Sequence, residues 1–429
     1  MERIIGATLS AGILAGLGAV AFHYLANRLD EELFIWAAAR PLYVVGVPTF
    51  GLFCIGWFLQ LVPESRLGGV LEVIESLNHL GGKVSLVRLY NVVASALVLA
   101  VGGSVGPEGP MVQMGAVAGS QAGQLFGLSG ATLRTLVRAG TAAGVAAAFR
   151  SPAGGVLLTL EIFGAKLNRD LTAIAVASGL GYLLRTTILR DAYPFRPPTP
   201  LEPLPLLTLL TVVPVMGLLA APTGHFFISM FRMMPALFPE SVPLWLRLTL
   251  GGLIIGILGI WFPQVLSAGY PTILSGLYGK IGVSLFIVLL FLKMFATSVT
   301  FGSGAVGGLF APTLVIGSLF GGAFGYGLRA VWPEAVPQPE LFVLLGMIVM
   351  FGSIVKGYLS GLLMIADMSG CYHQLLLPGV IAGGISYLVS WELHDKSIFG
   401  LALDRTSDTI DNTGTNGKPA MEELSCGKR

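Results

Sequence analysis

Two short stretches of this sequence hold the residue types from which a small-ion site is built. The first is GPEGP at 106–110, within GGSVGPEGPMVQMG (102–115), which sets a single carboxylate, Glu108, into otherwise apolar sequence. The second is GLFAP at 308–312. Each places small residues and a proline just ahead of a long apolar run, and proline is favoured in the first helical turn, where its missing N–H is not needed. Both therefore read as helix N-termini, with first-turn N–H groups and the positive end of the helix dipole pointing inward. Such an end binds an anion without a full positive charge. Neither stretch contains Lys or Arg, which suits permeation, because an ion must bind well enough to enter and weakly enough to leave. Glu108 stands where an anion would bind, so its carboxylate can fill the site itself, and displacement or protonation would vacate it. Gly106 and Gly109 leave room for backbone to approach the ion. The plainer alternative is a solvated loop glutamate, but an ionisable residue between membrane segments favours the gate.

The elements that position these residues are those of a membrane protein. Mean hydropathy is +0.80, and only 11% of residues are charged, less than half the share in a soluble domain. A net charge of +2 argues against nucleic acid as a partner. Runs at roughly 3–26, 41–62, 205–232, 246–263 and 283–300 are long enough to span a bilayer. Others are short or interrupted by Gly and Pro: 89–102, 111–127, 138–149, 153–163, 309–327, 341–355, 358–367 and 374–391. Such interrupted helices persist inside a membrane only where protein buries them or where they line a watery cavity. The start, MERIIGATLSAGILAGLGAV, lacks a clear cleavage site and reads as a retained first helix. Cys54, Cys371 and Cys426 lie far apart, with no metal-ligand spacing. The histidines, His23, His79, His225, His373 and His394, are scattered, and no HExxH or GxSxG motif is present. An intramembrane enzyme is thus a remote alternative, and no cofactor or metal is implied.

An internal repeat organises the chain. EGPMVQMGAVAGSQAG (108–123) lies over LFAPTLVIGSLFGGAFG (309–325) at an offset of 202, pairing Pro110 with Pro312, Gly115 with Gly317, Gly119 with Gly321 and Gly123 with Gly325. At an offset of 206, AGGVLLTLEIF (153–163) matches LSGLLMIADMS (359–369), pairing Gly155 with Gly361 and Glu161 with Asp367. Two similar halves with interrupted helices at matching places point to a transporter built from structural repeats, with its site where those helices meet.

With these motifs in place, the sequence resembles the CLC chloride channels and proton-coupled chloride transporters. GPEGP running into MVQMG is similar to the family's G-R-E-G-P motif, and GSGAVGGLFAP (302–312) to its G-x-F-x-P motif with the GSGAPGG lead-in. SPAGGVLLTLEIF (151–163) and YHQLLLPG (372–379) match in order and spacing, so the resemblance covers about residues 1–402. It implies a homodimer in which each subunit has its own anion pathway and an inverted-repeat helical fold. It makes Glu108 the external gate and puts the backbone amides of Gly109, Leu309, Phe310 and Ala311 on the anion, beside Gly106. The departures are as informative. The family's G-S-G-I-P-E is matched only by LGGVLE (67–72), which puts Gly68, followed by Gly69, where the anion-coordinating serine stands, with Ser65 as a displaced candidate. The inner-gate tyrosine becomes Phe399, and the arginine before the gating glutamate becomes Pro107. The inner constriction is therefore expected to be wider or less polar. The proton-relay glutamate is replaced by Ile162, next to Glu161, and isoleucine cannot carry a proton. Glu161 and Asp367 read as structural, helix-end acids. Lys293, within FIVLLFLKMFAT, reads as paired or snorkelling. Arg150 lines a vestibule or faces lipid headgroups. The tail from Asp404 to Arg429 is polar, reads as disordered, and is too short for the paired nucleotide-binding module of some family members.

The expectation is an all-α polytopic inner-membrane protein of two inverted-topology repeats, about 1–190 and 200–402, followed by a polar tail from 403 to 429. Its function is chloride transport with a glutamate gate, channel-like or loosely proton-coupled. Tightly coupled chloride/proton antiport is the close alternative, fluoride or nitrate transport by the same fold stands behind it, and a secondary transporter for organic acids lies between these and the enzyme. The expected partners are a small anion, protons, the lipid bilayer and a second copy of the chain, with both termini in the cytoplasm.

Overall fold

A computed structural model describes residues 2–38, 41–62, 68–166, 169–190, 194–394 and 396–403. Among them regular structure is helical, apart from one isolated β-bridge. The helices are α1 (Glu2–Ala38), α2 (Pro41–Gln60), α3 (Val70–Asn78), α4 (Leu89–Ala100), α5 (Glu108–Leu125), α6 (Gly130–Phe149), α7 (Pro152–Glu161) and α8 (Arg169–Leu189). The second half continues with α9 (Leu206–Met233), α10 (Leu244–Trp261), α11 (Tyr270–Leu277), α12 (Val283–Gly302), α13 (Phe310–Val331), α14 (Glu340–Met350), α15 (Tyr358–Ser369) and α16 (Tyr372–Leu393). Helices satisfy their own backbone hydrogen bonds, which is the condition for lying in hydrocarbon. Among the described residues, eight stretches are long and apolar enough to cross a membrane: Glu2–Ala26, Leu42–Gln60, Asp170–Leu189, Leu206–Leu237, Leu244–Trp261, Val283–Gly302, Phe310–Val331 and Tyr372–Leu403. By length and composition this is a multi-pass integral membrane protein.

Several segments expected to be interrupted are continuous helices. Residues 111–125, 138–149, 310–327 and 374–391 fall in α5, α6, α13 and α16, the last running through Pro378. The span at 170–189 was not legible in the sequence, because α8 opens on Arg169 and Asp170 and carries Arg185 near its end. Arg185 is buried and donates from Nε to the Ala147 carbonyl at 3.1 Å, so its donors face protein rather than lipid. α7 and α15 are short, at 10 and 12 residues, as the interrupted pattern at 153–163 and 358–367 suggested.

The repeat glycines explain why the helices stay whole. In α5, a Cβ added at Gly115 would strike the Gly140 carbonyl of α6; in α13, one added at Gly317 would fall 2.6 Å from the Gly346 carbonyl of α14. Gly119 abuts Leu136 O, and its partner Gly321 abuts Phe342 O. Glycine here admits a neighbouring backbone rather than breaking a helix. A second equivalence links the short helices. Glu161, ending α7, accepts the Leu359 and Ser360 N–H groups at 3.0 and 2.9 Å, capping α15. Its repeat partner Asp367, in the last turn of α15, accepts from the Ser151 hydroxyl that caps α7. Each acid holds the start of the other half's helix.

Contacts also fix direction. Gly6 of α1 lies against Phe126, at the C-terminal end of α5, whereas Gly18 lies against Met114. The C-terminus of α5 therefore faces the same side as the start of the chain.

Candidate functional site

The two motif loops meet between the halves. Gly106 N–H donates to Gly308 O at 2.7 Å, and Gly308 N–H returns to Gly106 O at 3.0 Å, which forms the β-bridge. Only glycine fits this crossing, since a Cβ at Gly308 would fall 2.6 Å from Gly109 N. The first loop is anchored from α12, where Thr300 Oγ1 accepts the Ser104 N–H at 3.1 Å and Thr297 Oγ1 lies 2.9 Å from Ser104 Oγ. The bridge sets the N-termini of α5 and α13 side by side, with Leu309, Phe310 and Ala311 buried. Glu108 opens α5, is 1% exposed, and accepts the Ala311 N–H on Oε2 at 3.3 Å. Its Oε1 has no hydrogen-bond partner among the described residues. A carboxylate thus lies where two helix dipoles present their positive ends, a place suited to a small anion.

The remaining candidates surround this point unequally. Gly68 precedes α3 beside Asn91 and Val306, with ordinary contact distances of 3.6–3.7 Å for an added Cβ. Gly69, at φ 63°, packs on Gly109, and its N–H donates to Gln113 Oε1 at 2.9 Å. Phe399 is 2% exposed and meets the Phe310 ring edge-on at 5.4 Å; Phe351 stacks on Phe310 at 5.5 Å and Phe149 meets it at 5.9 Å. The rings of Phe149, Phe351 and Phe399 thus pack around Phe310 at the start of α13. Ile162, the C-cap of α7, packs against the apolar core. Pro107 is the N-cap of α5. Ser65 and the tail from Asp404 lie outside the described residues.

Lys293 is paired and does not snorkel. It is fully buried and donates to the carbonyls of Val265 and Ser267 at 3.0 and 2.8 Å. Ser267 in turn donates its N–H to Gly102 O at 3.1 Å, so the lysine pins the loop that supports the first motif. Arg150 is the left-handed C-cap of α6, at φ 56°.

Three residues that sequence reasoning passed over form a network beneath the site. Gln113, fully buried on α5, receives the Gly69 N–H and donates through Nε2 to Glu72 Oε2 and to Arg88 O. Glu72 is 1% exposed, with Arg88 Nε 3.6 Å from Oε1. The one available signal was an acid and a glutamine on apolar helices, forty-odd residues apart, and nothing local pairs them. No group of three or more His, Cys, Asp or Glu that could hold a metal is found among the described residues.

Comparison with known proteins agrees with this architecture. The profile of the voltage-gated chloride channel family matches residues 50–391. A voltage-gated ClC-type chloride channel ClcB of Escherichia coli is 30% identical over 418 residues, covering 93% of this chain and 98% of that protein. An H(+)/Cl(-) exchange transporter ClcA of Vibrio cholerae is 28% identical over 428 residues, covering 93% and 88%. Among solved structures, a slow cyanobacterial Cl-/H+ antiporter superposes with a TM-score of 0.86 at 24% identity, over 96% of this chain and 99% of that one. A CLC-type fluoride/proton antiporter superposes at 0.77 and 21% identity, over 92% and 96%. With its paired helix N-termini, repeat-matched glycines and family profile over most of its length, this chain belongs to the voltage-gated chloride channel, or CLC, family.

Proposed function

We propose that this protein carries chloride across a membrane in exchange for protons, with Glu108 as the gate. The observation that carries the reading is the Glu108 carboxylate held on the Ala311 N–H between two helix N-termini. A permeating anion and this carboxylate compete for the same amides. Protonation removes the charge that holds Glu108 there and frees the amides for the anion, so the carboxylate and the anion are alternative occupants, and passage of the anion is tied to protonation of Glu108, which is the basis of exchange. The loss of the relay acid at Ile162 favoured channel-like conduction when the sequence was read alone. Relatives named both as an exchanger and as a channel match nearly the whole chain, and the exchanger names, with the antiporter folds, support exchange better.

The anion contacts in this reading are the backbone groups of Gly106, Gly109, Leu309, Phe310 and Ala311, with Gly68 and Phe399 contributing no hydroxyl. Residues 1–402 form the transport domain, working as a homodimer in a prokaryotic inner membrane. The test is anion efflux from liposomes holding purified protein, with chloride, nitrate and fluoride compared for wild type and Glu108→Ala. Chloride efflux by the wild type that loses its pH dependence in Glu108→Ala supports the reading. Efflux of fluoride alone, or of no anion, overturns the chloride assignment.

A further inference from the structure

We propose that Glu72 is the acid through which protons pass between solvent and the Glu108 gate, in place of a relay at Ile162. The inference rests on the exchange reading above. A cavity of about 730 Å³ is bounded by α3, the turn ahead of α4 and the C-terminal end of α5, with Glu72, Ser76, Lys83, Arg88, Gln121 and Gln124 in its wall. Lys83 and Gln124 are exposed at its mouth, while Glu72 is buried at its base. Because the C-terminus of α5 faces the side on which the chain starts, the cavity opens there. Ile162 lies on that side too. Its helix α7 runs back along α6, and the adjoining Phe163 carbonyl accepts from Arg138, two turns before the Met111–Gly144 contact beside the gate.

The other acids on the short helices are engaged. Glu161 has both oxygens on the first-turn amides of α15, and Asp367 takes the hydroxyls of Ser151 and Tyr372. Glu72 differs. One oxygen is fixed by Gln113, while Oε1 has no hydrogen bond and only the Arg88 guanidinium at 3.6 Å. The charged groups around it are Arg88, Glu75 (3.2 Å from Arg88 Nη1) and, at the mouth, Lys83, with the backbone of Arg134 on α6 against Gly82. Burial pushes the Glu72 carboxyl up to about 8, against the lowering pull of Arg88, so it exchanges protons near neutral pH. α3 is itself too short to span the bilayer.

The transfer balances without any other reactant. A hydronium in the cavity gives its proton to Oε1 and leaves water. The resulting carboxylic acid passes the proton to the Glu108 carboxylate, which leaves Glu108 neutral and Glu72 ionised again. Gln113 holds the near end of the route: five residues of α5 separate it from Glu108, about 7.5 Å of helix rise, a span that one or two waters bridge.

The test is simultaneous recording of chloride and proton flux from liposomes holding the full chain, for wild type, Glu72→Gln and Glu72→Asp. The expected result is chloride flux within about twofold of wild type in Glu72→Gln, with protons per chloride lower by about tenfold, and partial recovery in Glu72→Asp. A purely structural role would lower both fluxes together and leave their ratio alone. As a second arm, Gln124→Cys is compared before and after a bulky thiol reagent, with the unsubstituted protein as control; labelling should slow protons and spare chloride. An unchanged proton-to-chloride ratio in both arms overturns the assignment while exchange stands. Absence of proton movement in the wild type overturns exchange itself, and the assignment with it.

Discussion

Replacing Glu108 by Gln keeps the shape of the gate and removes its charge. If the carboxylate competes with the permeant anion, that change must appear as tighter anion binding. The competition has two parts. A hydrogen bond from a backbone N–H to a carboxylate contributes about 1.5–3 kcal/mol, and the 3.3 Å separation from Ala311 N puts this one at the weak end. The dipole of α13, a full 22 residues long, adds about 0.3–1 kcal/mol. About 2 kcal/mol of competition is therefore lost with the charge, equivalent to roughly 30-fold in affinity. Isothermal titration of chloride into detergent-solubilised wild type and Glu108→Gln, at a pH where the carboxylate is ionised, measures the difference. A gain smaller than about threefold, about 0.7 kcal/mol, in protein that remains folded would refute the reasoning, because the carboxylate would then not occupy the anion's place.

Other positions give independent expectations. Gly68→Ser should fold normally, since an added Cβ finds 3.6 Å to Asn91 and 3.7 Å to Val306, and it should alter the chloride-to-nitrate efflux ratio by restoring a hydroxyl near the site. Gly321→Ala sets a methyl on the Phe342 carbonyl and should cost about 1–3 kcal/mol in thermal stability; Gly18→Ala, whose Cβ would find its nearest neighbour at 3.6 Å, is the tolerated control. Glu161→Gln should cost about 1 kcal/mol by weakening the cap on α15 while leaving the ratio of protons to chloride unchanged.

The parts of this molecule legible in the sequence are those in which local pattern and tertiary role coincide. GPEGP and GLFAP announce helix starts, and the two halves repeat them at a fixed offset, so the meeting of α5 and α13 could be anticipated. The runs that hold these glycines looked interrupted, although the helical spacing of Gly115, Gly119 and Gly123 already allowed close packing of whole helices. Gly115, Gly119, Gly317 and Gly321 are spaced for backbone contact across a helix pair, and a packed helix absorbs its glycines. Arg185 concealed α8, because a charge inside a span is tolerable only once its acceptor, the Ala147 carbonyl, is known. Lys293 behaves in the same way: its partners are carbonyls on a loop 26 and 28 residues before it. The Glu72–Gln113–Gly69 network was hidden for a related reason, since it joins α3 to α5 through side chains with no common periodicity. The aromatic packing of Phe399 on Phe310 likewise arises only when the chain's last described turn folds back on the start of α13.

The central claim is that the Glu108 carboxylate and an anion are alternative occupants of the space between α5 and α13, and that a proton on Glu108 releases the carboxylate. The most direct test imposes a chloride gradient across liposomes holding the wild-type protein, with no initial pH difference, and records external pH. Exchange predicts that chloride leaving the vesicles draws protons inward against the pH gradient that develops, and that Glu108→Ala abolishes this movement while chloride still flows. Rapid chloride loss with no proton movement in the wild type would contradict it.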